Sequence, residues 1–106
     1  MTLNATRTHY INEYDYSHIR WRGFVKRLAL RAASLADSRG VLNIGRDKFF
    51  KDTLGDEYNP RYISHIITDC NRIERVSFAT IGHSASARLV IVFDDEKISK
   101  SMEKKG

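Results

Sequence analysis

The chain has 106 residues, of which 42% are hydrophobic, so length and composition predict one domain with a modest core. The 18 Lys and Arg side chains outnumber the 13 Asp and Glu side chains, and the net charge of +5 favours a polyanionic partner such as nucleic acid or an anionic membrane surface. One cysteine excludes an internal disulfide. Neither a membrane-spanning apolar run nor the apolar core of a signal peptide occurs, so we expect a soluble, cytoplasmic protein without membrane contact.

Residues 1–16 show no sustained hydrophobic period and are rich in Thr, Asn and Tyr, which predicts an irregular N-terminal arm. The spacing of its tyrosines suits packing on the body of the protein or on a partner. Arg7 and His9 suit contact with a phosphate backbone. A loosely ordered terminus is the alternative.

The longest predicted helix covers residues 17–40, where apolar residues repeat at helical spacing and Gly40 occupies the C-terminal capping position. Gly23 is a mild defect in this helix, and its small size suits the close approach of another element. The polar face has no acid before Asp37, so it is either a solvated face or a surface for a polyanion. This basic row consists of Arg20, Arg22, Lys26, Arg27 and Arg31.

A short strand at residues 41–44 and a short helix at residues 46–54, closed by Gly55, come next. They lead to a helix over residues 59–73, for which Asn59 is a suitable N-cap and Pro60 a suitable first residue. Its apolar stripe consists of Tyr62, Ile63, Ile66, Ile67, Cys70 and Ile73, so Cys70 is predicted to be buried.

The opposite face of this helix carries side chains that donate to phosphates and base edges, with Asp69 on its margin. These side chains are Arg61, Ser64, His65, Thr68, Asn71 and Arg72. We interpret the segment as a candidate recognition helix. The alternative is an ordinary amphipathic helix with a solvated polar face.

Two segments rich in β-branched and aromatic residues, 75–81 and 87–93, predict a β-hairpin with a small polar connection at 82–86. Residues 94–106 are charged and predict a flexible tail, although Ile98 and Met102 are suited to start a frayed helix. The predicted core consists of Trp21, Phe24, Leu28, Leu35, Phe49, Phe50, Leu54, Ile63, Ile66, Ile67, Phe78, Leu89 and Ile91.

This order of elements resembles the winged-helix (winged helix-turn-helix) DNA-binding family, in particular its small stand-alone archaeal, bacterial and viral members. The resemblance covers residues 17–93. It implies an α+β domain of three helices with a C-terminal two-stranded β-hairpin wing. It further implies a DNA-binding surface made of Arg61, Ser64, His65, Thr68 and Arg72 on the recognition helix, with His83, Ser84 and Arg88 on the wing.

Catalytic and metal-binding motifs have no support in the sequence. The 4 histidines are scattered without metal-ligand spacing, and no phosphate loop, dinucleotide fingerprint or nucleophile elbow occurs. Asp94, Asp95 and Glu96 are adjacent acids, which favours a solvated start to the tail over a Mg²⁺ site. We therefore expect neither enzymatic activity nor a cofactor.

The expected function is that of a small transcriptional regulator that reads double-stranded DNA with the helix at residues 59–73, and is nucleoid-associated when bound. The alternative is a protein-interaction module of the same fold, which uses the basic first helix and the N-terminal arm without sequence-specific DNA binding. RNA binding is a weaker alternative. The sequence leaves the oligomeric state undecided between a monomer and a homodimer, because no residue pattern identifies a dimer interface.

Overall fold

The computed structural model describes residues 2–103, and within this range the chain forms five α-helices and a three-stranded antiparallel sheet. The helices are α1 (Leu3–Glu13), α2 (Arg22–Leu35), α3 (Arg46–Leu54), α4 (Ile63–Cys70) and α5 (Asp95–Glu103). The strands are β1 (Val41–Gly45), β2 (Val76–Ile81) and β3 (Arg88–Phe93). The predicted α+β class is therefore confirmed. No helix in the described range is long and apolar enough to cross a membrane.

The sheet has the strand order β1-β3-β2, with β3 in the centre. Ile91 of β3 pairs with Leu42 on one side and Phe78 on the other. The predicted hairpin forms from β2 and β3, and Gly82 adopts the positive φ of 81° at the start of its connection. The hairpin is not an isolated pair, because the short strand predicted at 41–44 joins it as the third strand.

The core lies between the helices and one face of the sheet. Most of the predicted core residues are buried: Leu28, Phe49, Phe50, Leu54, Ile63, Ile66, Phe78, Leu89 and Ile91. Trp21, Phe24 and Ile67 pack against this core but are only partly buried. Leu35 was predicted to be in the core and is 45% exposed, so that prediction is wrong. The reason is that α2 ends at Leu35, and the extended Ala36 turns inward instead.

The N-terminal segment is a helix, so the irregular arm predicted for residues 1–16 is wrong over Leu3–Glu13. The hydroxyl of Thr2 accepts a hydrogen bond from the amide of Ala5 at 3.1 Å, which caps the first turn. The helix buries Arg7 together with aromatic and aliphatic residues. Because a buried arginine breaks the apolar stripe, hydrophobic periodicity does not reveal this helix. Residue 1 lies outside the described residues.

Arg7 is buried, which contradicts the prediction that it contacts phosphate. Its Nε and Nη2 donate to the two carboxylate oxygens of Asp95 at 2.8 and 2.7 Å. Nη2 also donates to the carbonyl of Asp37 at 2.9 Å, and Nη1 donates to that of Ala36 at 3.3 Å. The hydrogen bond with Asp95 raises the pKa of the Arg7 guanidinium. This residue therefore joins α1, the end of α2 and α5.

The segment after β3 is helical from Asp95 to Glu103, so the flexible tail predicted for residues 94–106 is wrong over this range. Ile98 is fully buried, and the carboxylate of Asp94 accepts a hydrogen bond from the amide of Lys97 at 3.1 Å, which caps the helix. The prediction of a solvated acidic cluster at Asp94, Asp95 and Glu96 is wrong for Asp95, because its carboxylate forms an ion pair with Arg7. Residues 104–106 of the predicted tail lie outside the described residues.

Gly40 does not cap α2, as the sequence predicted, but lies in the turn that leads into β1. Its φ is 83°, and a Cβ there would lie 2.6 Å from the carbonyl oxygen of Phe93. The same turn is held by Asp37, whose carboxylate accepts hydrogen bonds from the amides of Val41 and Arg39. These bonds, the one from Val41 above all, lower the pKa of Asp37. Glycine is therefore required both by the backbone conformation and by the close approach of β3.

Candidate nucleic-acid interface

The segment predicted as one helix over residues 59–73 is a 3₁₀ turn followed by a shorter α-helix. Asn59 accepts a hydrogen bond from the amide of Arg61 at 3.0 Å, as expected for an N-cap, and Pro60–Tyr62 form the 3₁₀ turn. The α-helix ends at Cys70, and the side chain of the next residue, Asn71, bonds to Phe78 of β2. This side chain donates to the carbonyl of Phe78 at 2.8 Å and accepts from its amide at 2.7 Å. The side-chain amide of Asn71 is therefore engaged by the backbone of β2.

The two faces of α4 differ as the sequence predicted. Ile63, Ile66 and Cys70 are buried, and Cys70 is fully so, which confirms the prediction for the thiol. Burial raises the pKa of Cys70, because an apolar surrounding disfavours the thiolate. The outer face exposes Ser64, His65 and Thr68. We call these three residues the polar face of α4.

Asp69, the one acid of α4, is turned away from the polar face. It is 8% exposed, and its carboxylate accepts a hydrogen bond from the backbone amide of Trp21 at 3.1 Å. This bond attaches α4 to the start of α2. As a result, the polar face carries hydroxyl and imidazole groups and no carboxylate of its own helix. Sequence reasoning placed Asp69 on the margin of this face and missed its role.

An arginine stands at each end of the polar face. Arg61 lies in the 3₁₀ turn before α4, is exposed, and has its guanidinium carbon 5.9 Å from the centre of the Tyr62 ring. Arg72 lies in the turn after α4, with 54% of its side chain exposed and its Nε 3.4 Å from the carboxylate of Asp69. The two arginines were predicted to share one helix. They instead lie in the segments that flank a helix of 8 residues.

The turn after α4 is held in place by Tyr10 of α1 and by Tyr14, the residue that follows α1. The Tyr14 hydroxyl donates to the carbonyl of Arg72 at 2.8 Å, and the Tyr10 hydroxyl donates to that of Glu74 at 2.7 Å. The predicted packing of the tyrosines on the body of the protein is thus confirmed. Through these bonds α1 and the residue after it fix the backbone that carries Arg72.

The residues predicted for the wing lie at the connection between β2 and β3 and just beyond it. His83 and Ser84 are exposed, and Ser84 begins a 3₁₀ turn with a φ of 55°. Arg88 is exposed in β3, but its Nε donates to the side-chain oxygen of Asn43 at 2.9 Å and its Nη2 to the Asn43 carbonyl at 3.1 Å. Arg88 is therefore directed across the sheet towards β1.

The basic row predicted for the first helix does not act as one unit. The Nη1 of Arg27 lies 2.7 Å from the carboxylate of Glu57, and its Nη2 donates to the carbonyl of Thr53. The ammonium of Lys26 lies 5.9 Å from the centre of the Tyr16 ring. Arg31 is exposed. At least one cation of the row is therefore neutralised within the chain.

Ser64, His65 and Arg61 thus offer hydrogen-bonding groups without a competing carboxylate of α4, whereas Arg72 is paired with Asp69 and the Thr68 hydroxyl donates to the carbonyl of Ser64. Such hydrogen-bonding groups suit phosphate oxygens and base edges. Comparison with models of known families, with curated proteins and with solved structures finds no match to this chain. Within residues 2–103, no group of three or more His, Cys, Asp or Glu side chains is placed to hold a metal ion.

Proposed function

We propose that this chain is a winged-helix protein that binds double-stranded DNA through α4 and acts as a small transcriptional regulator. The order α2, β1, α3, α4, β2 and β3 supports the proposal, because it is the order of helices and hairpin in which the sequence resembles the family. In this scheme α3 and α4 are the helix-turn-helix, and β2 and β3 with their connection are the wing.

The observation that carries the proposal is the composition of the outer side of α4. Its polar face is flanked by Arg61 and Arg72, and its one acid, Asp69, is turned inward. At 1.5 Å per residue, the 8 residues of α4 span about 12 Å. The DNA major groove is about 12 Å wide and admits an α-helix, so α4 can lie in it with its polar face towards the base edges.

Each residue then has a definite role in the proposed complex. Arg61, at the N-terminal end, contacts a base or a phosphate, and Arg72 anchors the backbone at the other end. Ser64, His65 and Thr68 face the base edges between them. The wing residues His83, Ser84 and Arg88 contact the flanking backbone. The net charge of +5 supports association with a polyanion.

The alternative is a protein-interaction module that uses the N-terminal segment and the basic row on and just before α2, and it has less support. The hydroxyls of Tyr10 and Tyr14 are already bonded to backbone carbonyls. Arg27 is paired with Glu57. These groups are therefore less available to a partner than Arg61, Ser64 and His65. On the favoured surface, Thr68 and Arg72 are also bonded within the chain, to the Ser64 carbonyl and to Asp69.

The test is the affinity for random-sequence duplex DNA, measured by fluorescence anisotropy at several salt concentrations. Arg72→Ala is expected to weaken binding about equally on all sequences and to lower the salt slope by about 1. Ser64→Ala and Thr68→Ala are expected to change the preference among sequences with little effect on the slope. Arg31→Ala, an exposed arginine on α2, is the matched control and is expected to leave both quantities nearly unchanged.

One pattern of results would reject the proposal. If charge reversal in the basic row of α2 abolishes DNA binding while Arg61, Arg72 and Arg88 are each replaced without loss, then α2 and not α4 is the nucleic-acid surface.

A further inference from the structure

Three aromatic side chains meet where the start of α2 packs beside α4. The Trp21 and Phe24 rings are stacked, with centroids 5.8 Å apart and an interplanar angle of 17°. The Tyr62 ring lies on Trp21 as well, at 5.3 Å and an angle of 37°. We call Trp21, Phe24 and Tyr62 the aromatic platform. Its members are only partly buried, so the platform reaches the surface.

A shallow depression of about 190 Å³ lies beside the platform, lined by Arg20, Trp21, Gly23 and Phe24. This volume is below the roughly 300–1,000 Å³ of pockets that hold drug-sized ligands, so the depression is too small for a ligand of that size. Gly23 is exposed, and apart from its chain neighbours and the nearby backbone of its own helix, no atom lies within 4 Å of the position that a Cβ would take there. The sequence suggested that another element of the chain approaches Gly23, but the space beside it is open. A ligand can therefore approach the backbone closely.

The aromatic platform is attached to α4, and two arginines lie next to its rings. The backbone amide of Trp21 donates to the carboxylate of Asp69, which attaches the backbone of Trp21 to α4. The guanidinium of Arg20 lies 5.6 Å from the Trp21 ring centre, and that of Arg61 lies 5.9 Å from the Tyr62 ring centre. Within residues 2–103, neither arginine forms an ion pair. Two cations beside stacked rings suit a ligand that is both planar and anionic.

We infer that the aromatic platform binds an unpaired base of single-stranded nucleic acid, with Arg20 and Arg61 on the adjacent phosphates. Proteins that bind single strands without sequence preference combine aromatic rings on which bases stack with a positively charged path for the backbone. A base inside a duplex has no free face to offer to Trp21. This activity is therefore distinct from the proposed duplex binding through the polar face of α4, although Arg61 borders both surfaces.

Trp21 is the chain's one tryptophan, so its fluorescence reports on the platform directly. We would titrate the protein with an oligothymidylate of about 10 nucleotides, within the roughly 4–16 nucleotides that such sites cover. Stacking of a base on Trp21 is expected to quench the fluorescence to saturation. An abasic sugar-phosphate oligomer of the same length is expected to cause little quenching, because it supplies phosphates without a ring.

Two variants test the residues. Phe24 lines the depression, so Phe24→Leu is expected to weaken oligothymidylate binding by about 5- to 150-fold, the equivalent of one lost aromatic stacking partner. Arg20→Gln is expected to weaken it and to reduce its salt dependence. Arg31→Gln makes the same change of charge at an exposed position of α2 away from the depression, and is expected to have little effect. A thermal melt of each variant shows whether it is folded.

The inference is overturned if the abasic oligomer or polyglutamate quenches Trp21 as well as oligothymidylate does, since charge alone would then explain binding. It is also overturned if no oligomer quenches Trp21 while duplex DNA is bound normally. Failure of the proposed function looks different. In that case oligothymidylate quenches Trp21 as expected, but duplex DNA is not retained and Thr68→Ala changes nothing.

Discussion

Removal of the Asp95 carboxylate by Asp95→Ala is predicted to destabilise the fold strongly, because it leaves the Arg7 guanidinium buried without its counterion. Only 1% of the Arg7 side chain is exposed, against 20% for Asp95. Loss of one partner of a buried ion pair costs about 3–5 kcal/mol. Arg7 keeps three other acceptors, on Asn4, Ala36 and Asp37, so we expect the lower end of this range, about 3 kcal/mol.

Thermal and urea unfolding measure this loss. In a domain of this size, 1 kcal/mol corresponds to a shift in Tm of roughly 4–8 °C, so the expected decrease is about 12–24 °C. A double-mutant cycle with Arg7→Met separates the pair from its surroundings, and the coupling energy is expected to exceed about 1 kcal/mol. The matched control is Glu96→Ala on the same helix, which breaks an exposed pair with Lys100 and is expected to cost at most about 0.5 kcal/mol.

The reasoning would be refuted if Asp95→Ala and Glu96→Ala had equal effects on Tm. A coupling energy between Arg7 and Asp95 near zero would have the same meaning. Either result would show that α1 and α5 are not joined by this ion pair.

Three further predictions concern the core, the thiol and one turn. Ile66→Ala is expected to cost about 2–5 kcal/mol of unfolding free energy, whereas Ile81→Ala, at a side chain 58% exposed, is expected to stay within about 0.5 kcal/mol; equal Tm shifts would contradict the burial of α4. Cys70 is expected to react with a thiol reagent slowly in the native state and rapidly in denaturant; rapid native labelling would place this face of α4 on the surface. Gly40→Ala is expected to cost at least about 1–3 kcal/mol, because φ is 83° and the new Cβ would meet Phe93; an unchanged urea midpoint would contradict this.

Local signals in the sequence were sufficient for much of the central part of the fold. Asn59 and Pro60 marked the start of the α4 segment, and the apolar spacing from Ile63 to Cys70 identified its buried face. Runs of β-branched residues identified the strands to within a residue or two. In these segments the residues that decide the structure are near one another in the chain, so a pattern is visible.

The parts that the sequence did not reveal depend on contacts between distant residues. The buried side chain of Arg7 interrupts the apolar stripe of α1, so the hydrophobic periodicity of this helix is weak. The partner of Arg7, Asp95, lies 88 positions away in the chain. The sequence predicts that α4 continues to Ile73, but it ends at Cys70, and Asn71 beyond it bonds to Phe78 in β2. Asp69 looked like a marginal member of the outer face, but its partner is the amide of Trp21. In each case a polar side chain is committed to a partner that no local pattern indicates.

The most direct test of binding through α4 is an NMR titration of the labelled protein with a short duplex, which follows every backbone amide separately. Duplex binding through α4 predicts that the largest shifts occur at Ser64, His65 and Thr68, with smaller ones at Arg61 and Arg72. Saturable shifts confined to α2, or to the open face of the sheet, with the α4 amides unmoved, would contradict it.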